Sequence, residues 1–314
     1  MTRVLHIRNI TLEGPDCCGK STLYSGIHRA TGFRWNIQDR SQLSMICYAR
    51  QFGRPPESVA AWRRELNDFL LDLNNRLVVL LPGHQVTVQR LRERGDEYQD
   101  VESLGVLHGL FEEEVDRLGP RPNVLVVREP LERSALAERV VSWLRESELT
   151  SSSEVARAVR DAAASCPGQE AAGCRFRLTL EPSSPDLHSP EAMLHPPEEA
   201  YYARILSAVL QNIGDELAGR NEYCRREAPG ATRRFIFTQD TCISLLHTLL
   251  RDGHLRMRVY CRSSNAQDVL EHDLRFICHL FGRVRAHLLA QGCEPSVLSI
   301  DVELGSAHIP LQAA

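Results

Sequence analysis

Gly14, Gly19, Lys20 and Ser21 fall at the GxxxxGKS spacing within "EGPDCCGKSTL", and residues of these types at this spacing can hold the phosphates of a nucleotide. Glycines let the backbone wrap closely round phosphate oxygens, and successive N–H groups with a helix N-terminus supply positive potential. Lys20 reaches the outer phosphates and Ser21 ligates magnesium, with Cys18 and Thr22 completing the loop. Asp16 places a carboxylate inside that loop, facing the gap between a phosphoryl donor and its acceptor. Cys17 and Cys18 read as small loop fillers, because phosphoryl transfer needs positioning and charge neutralisation rather than a covalent thiol.

A loop of this kind works only between a strand and a helix. The pattern from residue 4 to about 146 alternates short apolar runs with amphipathic segments, which predicts βα units around a parallel sheet. Strands are expected at 6–12, 34–39, 76–81 and 123–128. Val59, Trp62, Leu66, Phe69 and Leu73 recur at helical spacing, as do Leu104, Leu107, Phe111, Val115 and Leu118, and then Leu136, Val140 and Leu144. Those faces are expected to cover the sheet. Arg90, Arg92 and Arg94 lie on a further helical stretch that "RGDE" stops.

At 314 residues the chain suits two cores, and a formal net charge of −4 gives no global basic field for tight non-specific nucleic-acid binding. Ten cysteines without a CxxC pair or a leading signal segment suit free thiols in a reducing compartment, so a cytoplasmic location is expected. No apolar run approaches the roughly 20 residues of a bilayer span, so no membrane partner is expected. His247, His254, His272 and His279 form no defensible metal spacing with the cysteines, and no zinc is proposed.

Residues 147–197 are rich in Ser, Ala, Glu and Pro and read as a linker holding at most one short helix at 153–163. Beyond it, 198–218 predicts a helix, 233–238 a strand, and "LRMRVYCRSS" a half-buried strand with Leu255, Met257 and Val259 on one face. Leu270, Leu274, Ile277, Phe281, Val284 and Leu288 define a long helix over 268–291, and "SVLSIDVEL" alternates again. The fold class expected is α/β: a unit over 1–146 built on the GxxxxGKS loop, with a parallel sheet and flanking helices, followed by a smaller α+β domain over 198–314.

"EGPDCCGKSTL", "NIQDRSQLSMICYARQFGR" and "VQRLRERGDEYQD" together resemble the P-loop deoxynucleoside monophosphate kinases, of which thymidylate kinase is the best-known member, over roughly residues 5 to 146. The resemblance implies ATP and magnesium as cofactors and a nucleotide as substrate. It also implies that Asp39 and Arg40 bind the acceptor phosphate and that Arg90, Arg92 and Arg94 belong to a closing lid. Only about twenty residues separate Lys20 from Asp39, where thymidylate kinases insert a further strand and helix. Compact P-loop kinases acting on other small alcohols, or on a hydroxymethylated pyrimidine in DNA, share the shorter layout, and nucleic acid is therefore the second acceptor reading.

"DTCISLLHTLLRDGHLRMRVYCRSSNAQDVLEHDLRF" resembles thymidylate synthase and its pyrimidine hydroxymethylase relatives. By that resemblance Cys242 falls at the nucleophile, Arg262 and Ser263 at the phosphate contacts, Asp273 at the base reader and His308 near the sugar. A thiolate there would add to C6 of a pyrimidine so that C5 attacks a folate-carried one-carbon unit. Ile243, Asn265 and Pro310 stand where the family has His, Asp and Tyr, and the glutamate and tail that close over folate have no counterpart. The reading is a reduced, nucleotide-binding module, with the family's sheet-mediated homodimer as a further expectation. Cys261, Cys278 and Cys293 are read as small buried hydrophobes.

Overall fold

The computed structural model describes residues 9–32, 35–95, 99–188, 199–217 and 232–310. The chain divides into two compact units, Met1–Glu148 and Leu149–Ala314.

In the first unit β1 (Asn9–Glu13), β2 (Ile37–Asp39), β3 (Asn75–Leu80) and β4 (Val124–Val127) form a parallel sheet in the order β2-β1-β3-β4. Alternate residues of β3 serve opposite faces. Val78 and Leu80 join Ile10, Leu12 and Val127 under helices α1 (Lys20–Thr31) and α6 (Arg133–Glu146). Leu77, Val79 and Leu81 pack under α2 (Gln42–Gln51), α3 (Pro56–Leu71) and α5 (Val101–Leu118), where Phe111 is fully buried. Because β3 is buried on both faces, it reads as a continuous apolar run rather than an alternation.

All four expected strands are present, although residues 6–8 and 34 of the first two lie outside the described residues. Helix α2 was not anticipated from the sequence. Its apolar stripe, Leu43, Ile46 and Cys47, is short, and it is buried against α3 and α5. The stretch bearing Arg90 and Arg92 is α4 (His84–Arg94).

The second unit holds a six-stranded mixed sheet in the order β5-β10-β8-β7-β6, with β9 beside β10. Its elements are α7 (Ser152–Ala164), β5 (Glu170–Thr179), α8 (Glu199–Leu217), β6 (Thr232–Thr238), β7 (Ile243–Arg251), β8 (His254–Cys261), β9 (Ser264–Asn265), α9 (Leu270–Ala290) and β10 (Val297–His308). β10 pairs parallel with β8 and antiparallel with β5.

The short helix expected at 153–163 is present as α7, but the linker expected over 147–197 is corrected, because α7 and β5 both belong to the second unit and make it the longer of the two. Helix α7 opens on a capping box between Ser151 and Glu154 and buries Val155, Ala156, Ala158, Val159, Ala162 and Ala163. Small side chains let it lie close to β5 and α9, so a segment with few large apolar residues still belongs to a core. β5 escaped notice because its partner, β10, is more than a hundred residues away, and Cys174, Phe176 and Leu178 are its main inward side chains.

Candidate functional site

The glycine loop links the end of β1 to the start of α1. Gly14 has φ +136°, and a Cβ there would lie 2.2 Å from the Leu80 carbonyl oxygen, so only glycine lets the loop pass this close to β3. Gly19 has φ +110° and caps α1 without a side-chain hydrogen bond, and the first turn carries no acid. That helix end presents N–H groups and positive dipole to an anion, so a phosphate fits the cradle. Lys20 is 6 % exposed and donates to the carbonyls of Gly14 at 2.7 Å and Pro15 at 2.8 Å. Ser21 is exposed and Thr22 half-buried in the same turn, while Cys18 is buried with its thiol pushed up by burial.

Beside the loop, Arg40 follows β2 with φ +69°, a left-handed conformation unusual for a side chain of this size. Its guanidinium is hydrogen-bonded and ion-paired to Asp16 and donates to the Tyr48 hydroxyl at 2.7 Å. Tyr48 donates in turn to Asp16 Oδ2 at 2.7 Å, which closes a triangle of three side chains. Burial pushes the Tyr48 phenol up to about 12, with the Asp16 carboxylate adding to the shift. Burial pulls the Arg40 guanidinium down, but Asp16 and Tyr48 outweigh it and its pKa is raised. Asp39 is exposed at the end of β2 and is not part of the triangle.

The turn bearing Arg40 is anchored from below. Glu13, fully buried at the end of β1, accepts from the Ser41 amide at 2.6 Å, the Ser41 hydroxyl at 2.9 Å and the Ser44 amide at 3.2 Å on Oε1. Its Oε2 accepts from the Ser44 hydroxyl.

The three α4 arginines separate. Arg90 donates to the Cys18 carbonyl at 2.9 Å and the Cys17 carbonyl at 3.4 Å, so it touches the loop. Arg92, about 200° further round the helix, is exposed and lines a cavity of about 640 Å³ with His84, Gln85, Val88, Gln89, Glu93 and Val101. Arg94 is exposed at the last helical position, and residues 96–98 of the expected lid lie outside the described residues.

In the second unit the Cys242 thiol contacts the Ser263 carbonyl, and the Arg262 amide donates to the Cys242 carbonyl at 2.8 Å. Arg262 is exposed and pairs with Asp240 at 3.0 Å. His308 sits opposite Asn265 where β9 meets β10, so Cys242, Arg262, Ser263 and His308 gather around one end of the sheet. Asp273 lies differently. It is 2 % exposed, and its two oxygens accept from Tyr202 at 2.9 Å and Ser264 at 3.3 Å, so the structure uses it inside the unit. Cys261 and Cys278 are buried with thiols raised well above the usual range by burial, whereas Cys293 is only partly buried.

Sequence reasoning missed Tyr48, Glu13, Ser41 and Ser44. Tyr48 lies on α2, which begins two residues after Arg40, so its place beside the Asp39-Arg40 turn follows only once that helix is known. Tyr201 was also missed; its hydroxyl lies 3.1 Å from Thr241 Oγ1 and accepts from the Ile243 amide at 3.0 Å, beside Cys242.

The first unit, with its parallel sheet, flanking helices and glycine loop between β1 and α1, is consistent with a P-loop kinase fold, and a mixed-sheet unit follows it. No family model matches the chain, and no curated protein matches it. Among solved structures it is similar to the YorR protein of Bacillus subtilis in complex with phosphorylated GDP, at 20 % identity and a TM-score of 0.35 over 44 % of this chain and 95 % of that one. It is also similar to a deoxyadenosine kinase from M. mycoides with dCMP and dCDP bound, at 14 % identity and a TM-score of 0.36 over 44 % and 98 %. A weaker likeness is to thymidylate synthase from T4 phage, at 16 % identity and a TM-score of 0.25, covering 33 % of this chain and 35 % of that one.

Proposed function

We propose that the chain is an ATP-dependent phosphotransferase acting on a pyrimidine deoxynucleoside monophosphate, with a second unit that binds a pyrimidine nucleotide. The observation that carries this reading is the pairing of the Gly14–Lys20 loop with the Asp16–Arg40–Tyr48 triangle at the end of the neighbouring strand. An anion cradle and an arginine-carboxylate pair beside it are what transfer between two anionic partners requires.

ATP with magnesium supplies the transferable phosphoryl group, and Ser21 is the residue placed to ligate the metal. Lys20 leaves its loop carbonyls to neutralise the outer phosphates. Arg40 holds the acceptor phosphate, and Asp16 and Tyr48 orient the acceptor's single sugar hydroxyl. Arg90 lies closest to the loop and neutralises charge in transfer, while Arg94 joins from the lid when it closes. In the second unit Arg262 and Ser263 hold a nucleotide phosphate, His308 lies by the sugar and Cys242 by the base. Self-association through that unit belongs to the same reading and is checked by light scattering.

The test is a phosphotransfer screen of the full chain against dTMP, dUMP, dCMP, their 5-hydroxymethyl forms and hydroxymethyluracil-containing DNA, with Lys20→Ala as the blank. Turnover of a monophosphate is the expected result. Turnover of DNA alone moves the acceptor to the polymer, and no turnover with any acceptor refutes the reading.

A further inference from the structure

We infer that Glu13 is a positioning residue for Arg40: a buried carboxylate that fixes the acceptor-side arginine against the phosphate loop. This deepens the phosphotransferase reading and rests on it.

Glu13 is the last residue of the strand that runs into the loop, and it is 0 % exposed. Both of its oxygens are committed to the start of α2, with Oε1 taking the Ser41 amide, the Ser41 hydroxyl and the Ser44 amide, and Oε2 the Ser44 hydroxyl. Ser41 is the residue before α2 and makes no side-chain cap of its own. The cap is therefore supplied by another element, because a carboxylate on β1 satisfies two orphan amides of the helix. It also places negative charge at the positive end of the dipole.

Arg40 is trapped between these fixed points. Its amide donates to the Leu12 carbonyl at 3.0 Å, one residue before Glu13, and the following residue is held by Glu13 itself. A non-glycine residue at φ +69° is strained and persists where its surroundings over-determine it. Glu13 supplies that determination, and the outcome is a guanidinium aimed at Asp16 across the mouth of the loop. Without the carboxylate the turn can relax, the N-terminus of α2 loses its cap, and Arg40 drifts from the acceptor while Gly14, Gly19 and Lys20 keep their own contacts.

The experiment compares Glu13→Ala, Glu13→Gln and Ser44→Ala in the full chain, reading the KM for dTMP and for ATP separately. Glu13→Ala is expected to raise the dTMP KM on the order of tenfold while the ATP KM stays within about twofold. Glu13→Gln keeps an acceptor for Ser41 and can donate to the Ser44 hydroxyl, so it restores most of the loss. In a cycle with Arg40→Ala the double variant is no worse than Arg40→Ala alone. A dTMP KM unchanged in Glu13→Ala, an ATP KM raised equally, or full additivity with Arg40→Ala overturns the inference.

A second readout is independent of turnover: the side-chain ¹⁵N signal of Arg40, assigned by its loss in Arg40→Lys. It should move in Glu13→Ala and return in Glu13→Gln, and an unchanged signal in folded Glu13→Ala overturns the inference even if no acceptor is phosphorylated. Should Glu13→Ala fail to fold, Ser44→Ala, which removes only the bond to Oε2, carries both readouts with a smaller shift in the same direction, and no shift overturns the inference.

Discussion

Tyr48 and Asp16, thirty-two residues apart in the chain, are joined by a 2.7 Å hydrogen bond in which the phenol donates to the carboxylate. Arg40 donates to both, so the side chain expected to meet an acceptor anion is already held by a neutral acceptor and a negative charge. Removing the phenol should loosen this set without touching the phosphate loop. Tyr48→Phe is expected to raise the acceptor KM about tenfold and leave the ATP KM within about twofold. Initial-rate kinetics with each substrate varied in turn decides it.

The same phenol makes a pH prediction. Its pKa is pushed up to about 12, first by burial and then by Asp16, above the roughly 10 of an unfolded tyrosine. The folded state thus favours the protonated phenol, and this contribution is complete below pH ~10 and fades as pH rises to about 12. The melting temperature should fall across that window and do so less steeply in Tyr48→Phe. Equal slopes by circular dichroism would remove Tyr48 from the account.

Among the described residues Lys20 bonds to its own loop alone, to Gly14 and Pro15 and weakly to the Cys18 thiol. Truncation should therefore spare the fold and remove the chemistry, with Lys20→Ala lowering kcat about a thousandfold. A single-turnover assay with radiolabelled ATP is the measurement. Residual turnover near the parent rate would mean that the loop does not hold the transferred phosphate.

Glu114 tests stability rather than chemistry. Only 3 % of its side chain is exposed, and it pairs with Arg50 at 2.8 Å and Arg63 at 2.5 Å, while Arg117 lies 3.6 Å away. Burial raises its pKa, but Arg63, Arg117 and Arg50 outweigh it and the net shift is downward. Its contribution is present above the unfolded value of about 4.3 and is lost as pH falls through the lower folded value. Glu114→Gln should cost about 1–3 kcal/mol in urea denaturation at neutral pH, and the deficit should shrink on acidification.

Asp273 distinguishes two roles in the second unit. As a buried acceptor for Tyr202 and Ser264, its loss in Asp273→Ala should cost about 2–4 kcal/mol of stability. A variant of unchanged denaturation midpoint but altered preference between dCMP and dUMP, read by calorimetry, would instead return it to base recognition.

Some of this was legible in residue order alone. The glycine loop could be read because every group it needs lies within eight consecutive residues, β3 because its apolar run is continuous, and the long helices because their apolar periods are local. Helix α2 was not legible, since its apolar stripe of Leu43, Ile46 and Cys47 is short and gains its hold only by packing against α3 and α5. β5 was not read either, although Cys174, Phe176 and Leu178 alternate with Arg175, Arg177 and Thr179, because the alternation sits in a segment of small and charged residues and its partner β10 lies more than a hundred residues on.

By itself, then, the sequence determined that a loop with Gly14, Gly19 and Lys20 joins a strand to a helix, because that spacing and the flanking apolar runs are local properties. Only the tertiary structure decided which side chains face that loop. It turned Arg92 away and Arg90 inward by the pitch of one helix, took Asp273 into a core, and brought Glu13, Asp16, Arg40 and Tyr48 together. Those contacts link β1, its following loop, β2 and α2, and parallel pairing fixes how these elements meet in space, which no local pattern encodes.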